Sequence, residues 1–368
     1  LSGRVEVNAP PAEQLKNALK TLGGLSFHPS LWESVLLPAR VRGYRPELLD
    51  RLLAEGIFTW RMNAAGELGF YPYEDIDWDA QLPLPEMPLS RAERTAYDTL
   101  LKNGASFANR FTGLPEDISP YDTLLSLMEK GLVCADSFVP VRQMLSKDKI
   151  AGSTPRQRVS ARVSAMSSGR WEIARPMRAL TQDQALERIF DRCVVVCRET
   201  CTDVPWAHAL KTLSIWEYTG AVRRGYFIQG LSGVQYIRKK DYPAVSLELE
   251  QPRETMIWLC ASDPAQAWGK YLPHADNRSF TSVPGTVAAL YMGRPVAVFE
   301  RRGALLRVFD GAVFPEAADA FARGFSQGRI FPNLSRITVK EYPEYSDEAL
   351  EKAGFVKVMG DYVLYRKL

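Results

Sequence analysis

Cys193, Cys197 and Cys201 recur every four residues in CVVVCRETC, and a thiolate cluster is the first chemistry such spacing raises. Structural zinc sites use paired C-x2-C hooks with a second pair elsewhere, and iron–sulfur loops use other spacings. This segment has neither. A period of four on a helix that also carries Leu186, Ile189 and Phe190 places small apolar thiols on or near one packed face, as free cysteines sit in a reducing compartment. The five cysteines are odd in number, and the three histidines, His28, His208 and His274, have no carboxylate or cysteine at ligand spacing. No metal is expected. No G-x-x-x-x-G-K-[ST] loop and no DEAD/DEAH-type acidic box occurs, so ATP hydrolysis by that route is excluded.

The remaining side chains with chemistry to offer are cationic. Between Lys147 and Arg178 stand Lys147, Lys149, Arg156, Arg158, Arg162, Arg170, Arg175 and Arg178 against Asp148 and Glu172. Two readings stay open: a solvated linker, or a strap that tracks phosphates through bidentate arginines and counterion release. Arg223, Arg224, Arg238, Lys239 and Lys240 form a second group, and Arg301, Arg302 and Arg307 a third. Of these, Arg156, Arg158, Arg162, Arg170, Arg223, Arg224, Arg238, Lys239, Lys240, Arg301 and Arg302 are the candidate DNA contacts, of the backbone-directed kind.

The elements that must position them repeat. An apolar helix ending in Gly runs straight into a β-type segment at LDRLLAEGIFTW, LLSLMEKGLVCA and LSIWEYTGAVRRGYF, with Gly56, Gly131 and Gly220 at the joints. Glycine at such an end supplies the left-handed residue that stops the helix. Ser90 and Ser119-Pro120 are helix starts, and IFTWRMNAAGELGFYPY and GAVRRGYFIQGLSGVQYIRKK read as hairpins turning at Asn63–Gly66 and Gly230–Gly233. Three helices followed by a hairpin make a winged helix, here in tandem. The expected units are a first winged helix at 1–81, a second at 89–146, a basic connector at 147–179 and a third winged helix at 180–249. Pro83, Pro85 and Pro88 mark the first joint as extended. Helix and strand alternation predicts that Trp206, Trp216, Tyr218, Tyr226 and Phe227 are mainly core of the third unit.

From residue 254 the helical rhythm gives way to short alternating strands. GTVAALYMGRPVAVFERRGALLRVF reads as a meander, PEAADAFARGFSQ as a helix, SDEALEKAG as a Ser346-capped helix ended by Gly354, and FVKVMGDYVLYRK as a closing hairpin. The expected fold is α+β, tandem winged helices followed by a mixed β-barrel-like domain at 254–368.

Composition agrees with a folded chain. The 368 residues are 46% hydrophobic and 24% charged, with 46 Lys+Arg against 43 Asp+Glu for a formal charge of +3, too small to argue for nucleic acid by itself. No run approaches eighteen apolar residues, and LSGRVEVNAPP has neither an initiator Met nor a basic-then-apolar leader, which reads as a cytoplasmic fragment of a longer chain with no membrane partner.

The stretches LPARVRGYRPELLDRLLAEG, LMEKGLVCADSFVPVRQML, GRWEIARP, VRRGYFIQGLSGVQYI, CASDPAQAWGKYLP and AALYMGRPVAVFERRG resemble the C-terminal region of the large helicase-related (Lhr) family of bacterial superfamily 2 DNA helicases. The resemblance implies winged helices and a terminal β-barrel attached to an ATP-driven motor. ATP and Mg would belong to that motor, with no cofactor in this chain. The partners implied are DNA, single-stranded or forked, and the motor domains of the same full-length chain; self-association is left open. The design is also similar to winged-helix DNA glycosylases of the AlkZ type, and Lhr C-terminal regions are linked to uracil excision through an aspartate near the C-terminus. Asp361 is the matching residue and the catalytic nominee, Asp263 its reserve, although Gly360-Asp361 also reads as a hairpin turn. Three functions follow: a DNA-binding and assembly module of a repair helicase, a DNA glycosylase, and a sequence-specific transcription-factor-like reader. The third fits least, because PWAHALKTLSIWEY and SPYDTLLSLMEK offer few base-reading side chains. The wing Ala221–Lys240 is expected to touch DNA phosphates, with Arg223 and Arg224 free of carboxylates.

Overall fold

The computed structural model describes residues 9–82, 88–115, 118–146, 169–274 and 276–366. It divides into two compact units, one of Ala9–Trp32 with Tyr44–Ala179, the other built from Glu33–Gly43 with the chain from Leu180 onward. Pro83 and Pro85 lie outside the described residues. Among the described residues no helix is long and apolar enough to cross a membrane.

The first unit holds α1 (Pro11–Thr21), β1 (Ser26–Phe27), α2 (Pro46–Ala54), β2 (Phe58–Met62) and β3 (Leu68–Pro72), then α3 (Arg91–Asn103), β4 (Ser106–Phe107), α4 (Pro120–Glu129), β5 (Val133–Ala135), α5 (Val139–Leu145) and β6 (Arg170–Ile173). Its sheets run β1-β3-β2 and β4-β6-β5. Both are antiparallel, each a short first strand joined to a hairpin. The glycine joints form as the sequence predicts. Gly56 N–H donates to Leu53 O and Ile57 N–H to Leu52 O, and the same pair of bonds recurs at Gly131 and Leu132. Gly131 has φ +72°, and a Cβ there would stand 2.5 Å from Met62 O, so no other residue fits. Ser90 caps α3 in a capping box with Glu93. The other Glu93 oxygen receives Ser126 Oγ at 2.8 Å and Lys130 Nζ at 2.6 Å, which ties α3 to α4.

Strand β6 corrects the sequence reading of the connector. Residues 147–179 were expected to link two finished domains, yet Arg170–Ile173 pairs with β4 and β5 and supplies the third strand of the second sheet. The chain then pairs Ile76 with Met177, and Arg178 N–H donates to Asp75 O at 2.8 Å. The second winged helix therefore reaches past residue 146, because its short β5 pairs with a strand that begins thirty-five residues further along the chain, beyond the reach of a hairpin-turn pattern.

The second unit begins its long segment with α6 (Gln182–Cys193), β7 (Val195–Val196), α7 (Trp206–Tyr218), β8 (Val222–Gly225), β9 (Gln235–Arg238) and α8 (Tyr242–Glu250). The sheet order β7-β9-β8 repeats the two above, and Gly220 makes the third joint, donating to Glu217 O while Ala221 N–H donates to Trp216 O. The cysteine expectation needs correction. Helix α6 stops at Cys193, where Val194 adopts φ +62°, so Cys197 and Cys201 are not on it. Both are nevertheless buried, and Cys201 packs with Leu186 and Phe190. Burial pushes the Cys193 thiol up to about 11.

The last third carries β10 (Met256–Cys260), β11 (Val287–Tyr291), β12 (Arg294–Glu300), β13 (Leu305–Val308), α9 (Phe314–Ser326), β14 (Arg336–Val339), α10 (Asp347–Lys352), β15 (Val356–Val358) and β16 (Asp361–Tyr365). Its strands form two sheets, β10-β11-β12-β13 and β14-β16-β15. One parallel bridge, Leu305 with Glu341, stitches them, and among the described residues no closed barrel forms. Closure needs the outer strands to pair. Here α9 packs on the four-stranded sheet instead, setting Phe321 against Phe299 at 4.2 Å and against Trp258 at 5.0 Å between ring centroids. Ser346 does not cap α10: its hydroxyl is buried and donates to Pro343 O at 2.6 Å.

Candidate nucleic-acid interface

Four of the predicted cations converge at the base of the third wing. Val222 pairs with Arg238 and Arg223 with Ile237, and Lys239 N–H donates to Ala221 O at 2.8 Å. That register sets Arg223, Arg224, Lys239 and Lys240 around one end of a two-stranded ribbon, all four exposed. Lys239 and Lys240 rim a cavity of about 440 Å³ with Trp216, Gly220 and Ala221. The arginines are not bare: Arg224 Nε lies 3.2 Å from Glu217 Oε1, and Arg223 stands over the Tyr242 ring at 4.3 Å. The expectation that neither meets a carboxylate is corrected for Arg224. More than half of that side chain remains exposed, and a surface pair of this kind is weak enough to open for a phosphate.

Arg238 is not a DNA contact. It is 4% exposed, and Glu187, Asp191 and Asp241 hold it at 2.7, 2.8 and 2.7 Å. Burial alone would lower its pKa, but the three carboxylates outweigh burial and raise it. All four residues of β9 are buried, Arg238 among them, whereas Lys239 and Lys240 lie past the end of the strand and are exposed. Arg170 lies in the first unit on β6, bonded to Asp136 through Nε at 2.8 Å. Arg156, Arg158 and Arg162 lie outside the described residues. Arg301 and Arg302 sit in the turn between β12 and β13 at φ +51° and +59°, Arg301 paired with Glu341 at 2.9 Å. They do not share the wing's strands.

The two aspartates have different surroundings. Asp361 opens β16 opposite Val358, across a tight turn in which Met359 and Gly360 take φ +49° and +93°. Asp263 is buried and clamped bidentately by Arg40, with both N–O distances 2.7 Å, and its Oδ1 also accepts the Ala265 N–H. A carboxylate so occupied has no free oxygen edge to offer a substrate, which removes Asp263 as a catalytic reserve.

The aromatic expectation holds for some residues and fails for others. Trp216 stacks on Phe190 at 6.3 Å, Trp206 packs on the same core, and Phe227 meets Tyr242 edge-on. Tyr218 and Tyr226, however, are 94% and 82% exposed. The signal was present: Trp206, Ala209, Leu213 and Trp216 make the inward stripe of α7 at spacings of three and four, which leaves Lys211, Ile215 and Tyr218 outside it.

Two winged-helix domain families described for the large helicase-related protein match residues 3–72 and 176–255. The chain belongs to the large helicase-related family. Curated Lhr relatives match nearly all of it. The "Lhr helicase/probable uracil glycosylase" of Mycolicibacterium smegmatis is 30% identical over 376 residues, 89% of this chain and 24% of that protein. The "Lhr helicase/uracil glycosylase" of Escherichia coli is 28% identical over 393 residues, 92% of this chain and 25% of that protein. The chain thus spans about a quarter of the length of these Lhr relatives. Among solved structures, the Streptomyces sahachiroi DNA glycosylase AlkZ aligns with 92% of this chain and 94% of its own at 10% identity and a TM-score of 0.40, a likeness too slight to bear on function.

Proposed function

We propose that this chain is a DNA-binding and assembly module of an Lhr-type repair helicase, gripping single-stranded or forked DNA by its backbone without reading sequence. The observation that carries the reading is the convergence of Arg223, Arg224, Lys239 and Lys240 on one exposed end of the third wing. Cations on a ribbon meet phosphates, which position a protein on DNA without specifying bases. ATP and Mg would act in the motor domains of the full-length protein, the other partner proposed here. The test replaces all four cations by Ala. Each phosphate left without its cation should flatten the slope of log K against log salt by about 0.7 on single strands, so the fourfold variant should lose up to about 3, equally for all sequences. An unchanged slope would sink the proposal.

A second reading is favoured by the names of the relatives, both of which mention uracil glycosylase. In it Asp361 would stabilise the oxocarbenium-like sugar or activate water as the N-glycosidic bond breaks. Asp361→Asn keeps the turn and removes the charge. Excision by the native chain that persists in the variant would dismiss Asp361.

A further inference from the structure

Two tyrosines, one on each side of the Gly220 joint and β8, keep their rings in water. Tyr218 is the last residue of α7 and Tyr226 directly follows Gly225, which closes the strand. Among the described residues neither ring has an aromatic or cationic neighbour and neither hydroxyl a hydrogen bond. Their exposure is imposed by the framework. Trp206, Ala209, Leu213 and Trp216 take the inward face of α7, so Tyr218 falls outside it. Past β8, the Phe227 and Ile228 N–H groups both donate to Gln235 Oε1 at 2.8 Å, and Phe227 turns in against Tyr242. Alternation then sends Tyr226 outward. Seven residues lie between them, the turn of Thr219, Gly220 and Ala221 and the four residues of β8 that carry Arg223 and Arg224.

Large aromatic faces left in water near exposed cations are the two components of a single-strand platform: the cations follow the phosphates and the rings take the bases. A duplex hides its base faces by stacking them on each other and has none to offer. We propose that Tyr218 and Tyr226 are base-stacking platforms for an unpaired strand whose backbone runs along Arg223 and Arg224. The inference rests on the backbone-binding reading above and adds what that reading lacks, a reason to prefer unpaired bases. Charge complementarity favours a nucleic acid over a second copy of this chain, which would bring its own arginines to the same surface.

The experiment measures the affinity of the full chain for oligothymidylate and for an abasic strand of equal length and charge. The native chain should prefer the strand with bases by about tenfold or more, the range expected for one or two stacked bases. Tyr218→Ser with Tyr226→Ser should abolish the preference while leaving the salt slope unchanged, and Tyr218→Phe with Tyr226→Phe should keep it. Equal affinity of the native chain for both strands would overturn the platform and leave the backbone reading standing, as would a serine variant that still discriminates. Dimers in sedimentation that dissociate in the serine variant would assign the surface to self-contact and overturn it too. Binding to neither strand would overturn both readings.

Discussion

At the scale of single residues, charge in this protein divides into groups locked in the interior and groups left for solvent. Arg238 and Asp263 are locked, each by partners that sequence proximity does not reveal. Glu93 is the most informative locked carboxylate because its titration is linked to folding. Burial pushes its pKa up, but hydrogen bonds from Lys130, the Ser90 amide and Ser126 outweigh burial and lower it from 4.5 to about 2. A carboxylate depressed in the folded state stabilises above its unfolded pKa, and that contribution fades as acid protonates it. The native chain should therefore lose stability between pH 4.5 and about 2 more steeply than Glu93→Gln, which should be less stable at neutral pH and flatter below it. Urea midpoints across that window decide; parallel curves would contradict the network.

At the scale of elements, the third wing is held by a residue that no motif marks. Gln235 is 1% exposed. Its Oε1 accepts two backbone N–H groups, and its Nε2 donates to Ile228 O at 2.8 Å, so one amide does for the nine-residue turn what a tight hairpin loop does for itself. Ser232 at the far side of the turn is fixed to Glu199, whose carboxyl burial raises but hydrogen bonds from Ser232 and Cys197 draw down to about 2. Gln235→Leu fills the space and strands both N–H groups, at a cost of about 1–3 kcal/mol each where water cannot replace the bond. Amide exchange should rise sharply across 226–234 and stay slow at Tyr236 and Ile237 in β9. Uniform slow exchange would mean the turn holds without the staple.

At the scale of the whole molecule, the second unit is discontinuous in sequence. It takes Glu33–Gly43 from within the region of the first winged helix, and with it Arg40, the partner of buried Asp263. A fragment of residues 180–366 would keep Asp263 and lose its counter-charge. Removing one member of a buried pair typically costs about 3–5 kcal/mol. Asp263→Asn should accordingly destabilise the full chain by about that much and stabilise the fragment, where the charge is already alone. Thermal unfolding of the four proteins completes the cycle, and an equal effect in both backgrounds would show that Arg40 is not the partner that matters.

The sequence by itself determined the features that act over short range: the glycine joints at Gly56, Gly131 and Gly220, the cap at Ser90, the helix–hairpin rhythm and the family. These depend on backbone sterics and on periodicity within one or two turns, which residue types display directly. Which cations reach water was decided only by tertiary structure. Arg238 and Lys239 are adjacent and equally basic, yet Arg238 lies within buried β9 against Glu187, Asp191 and Asp241, while Lys239 falls just past the strand and reaches water. The same holds for Arg170, taken from an apparent linker into a sheet by a strand some thirty-five residues earlier, and for the last third, where strand signals were plain but α9 packed against the strands and two sheets formed. Pairings across tens of residues depend on what surface remains to be covered once the local pieces have formed, and no local pattern encodes that.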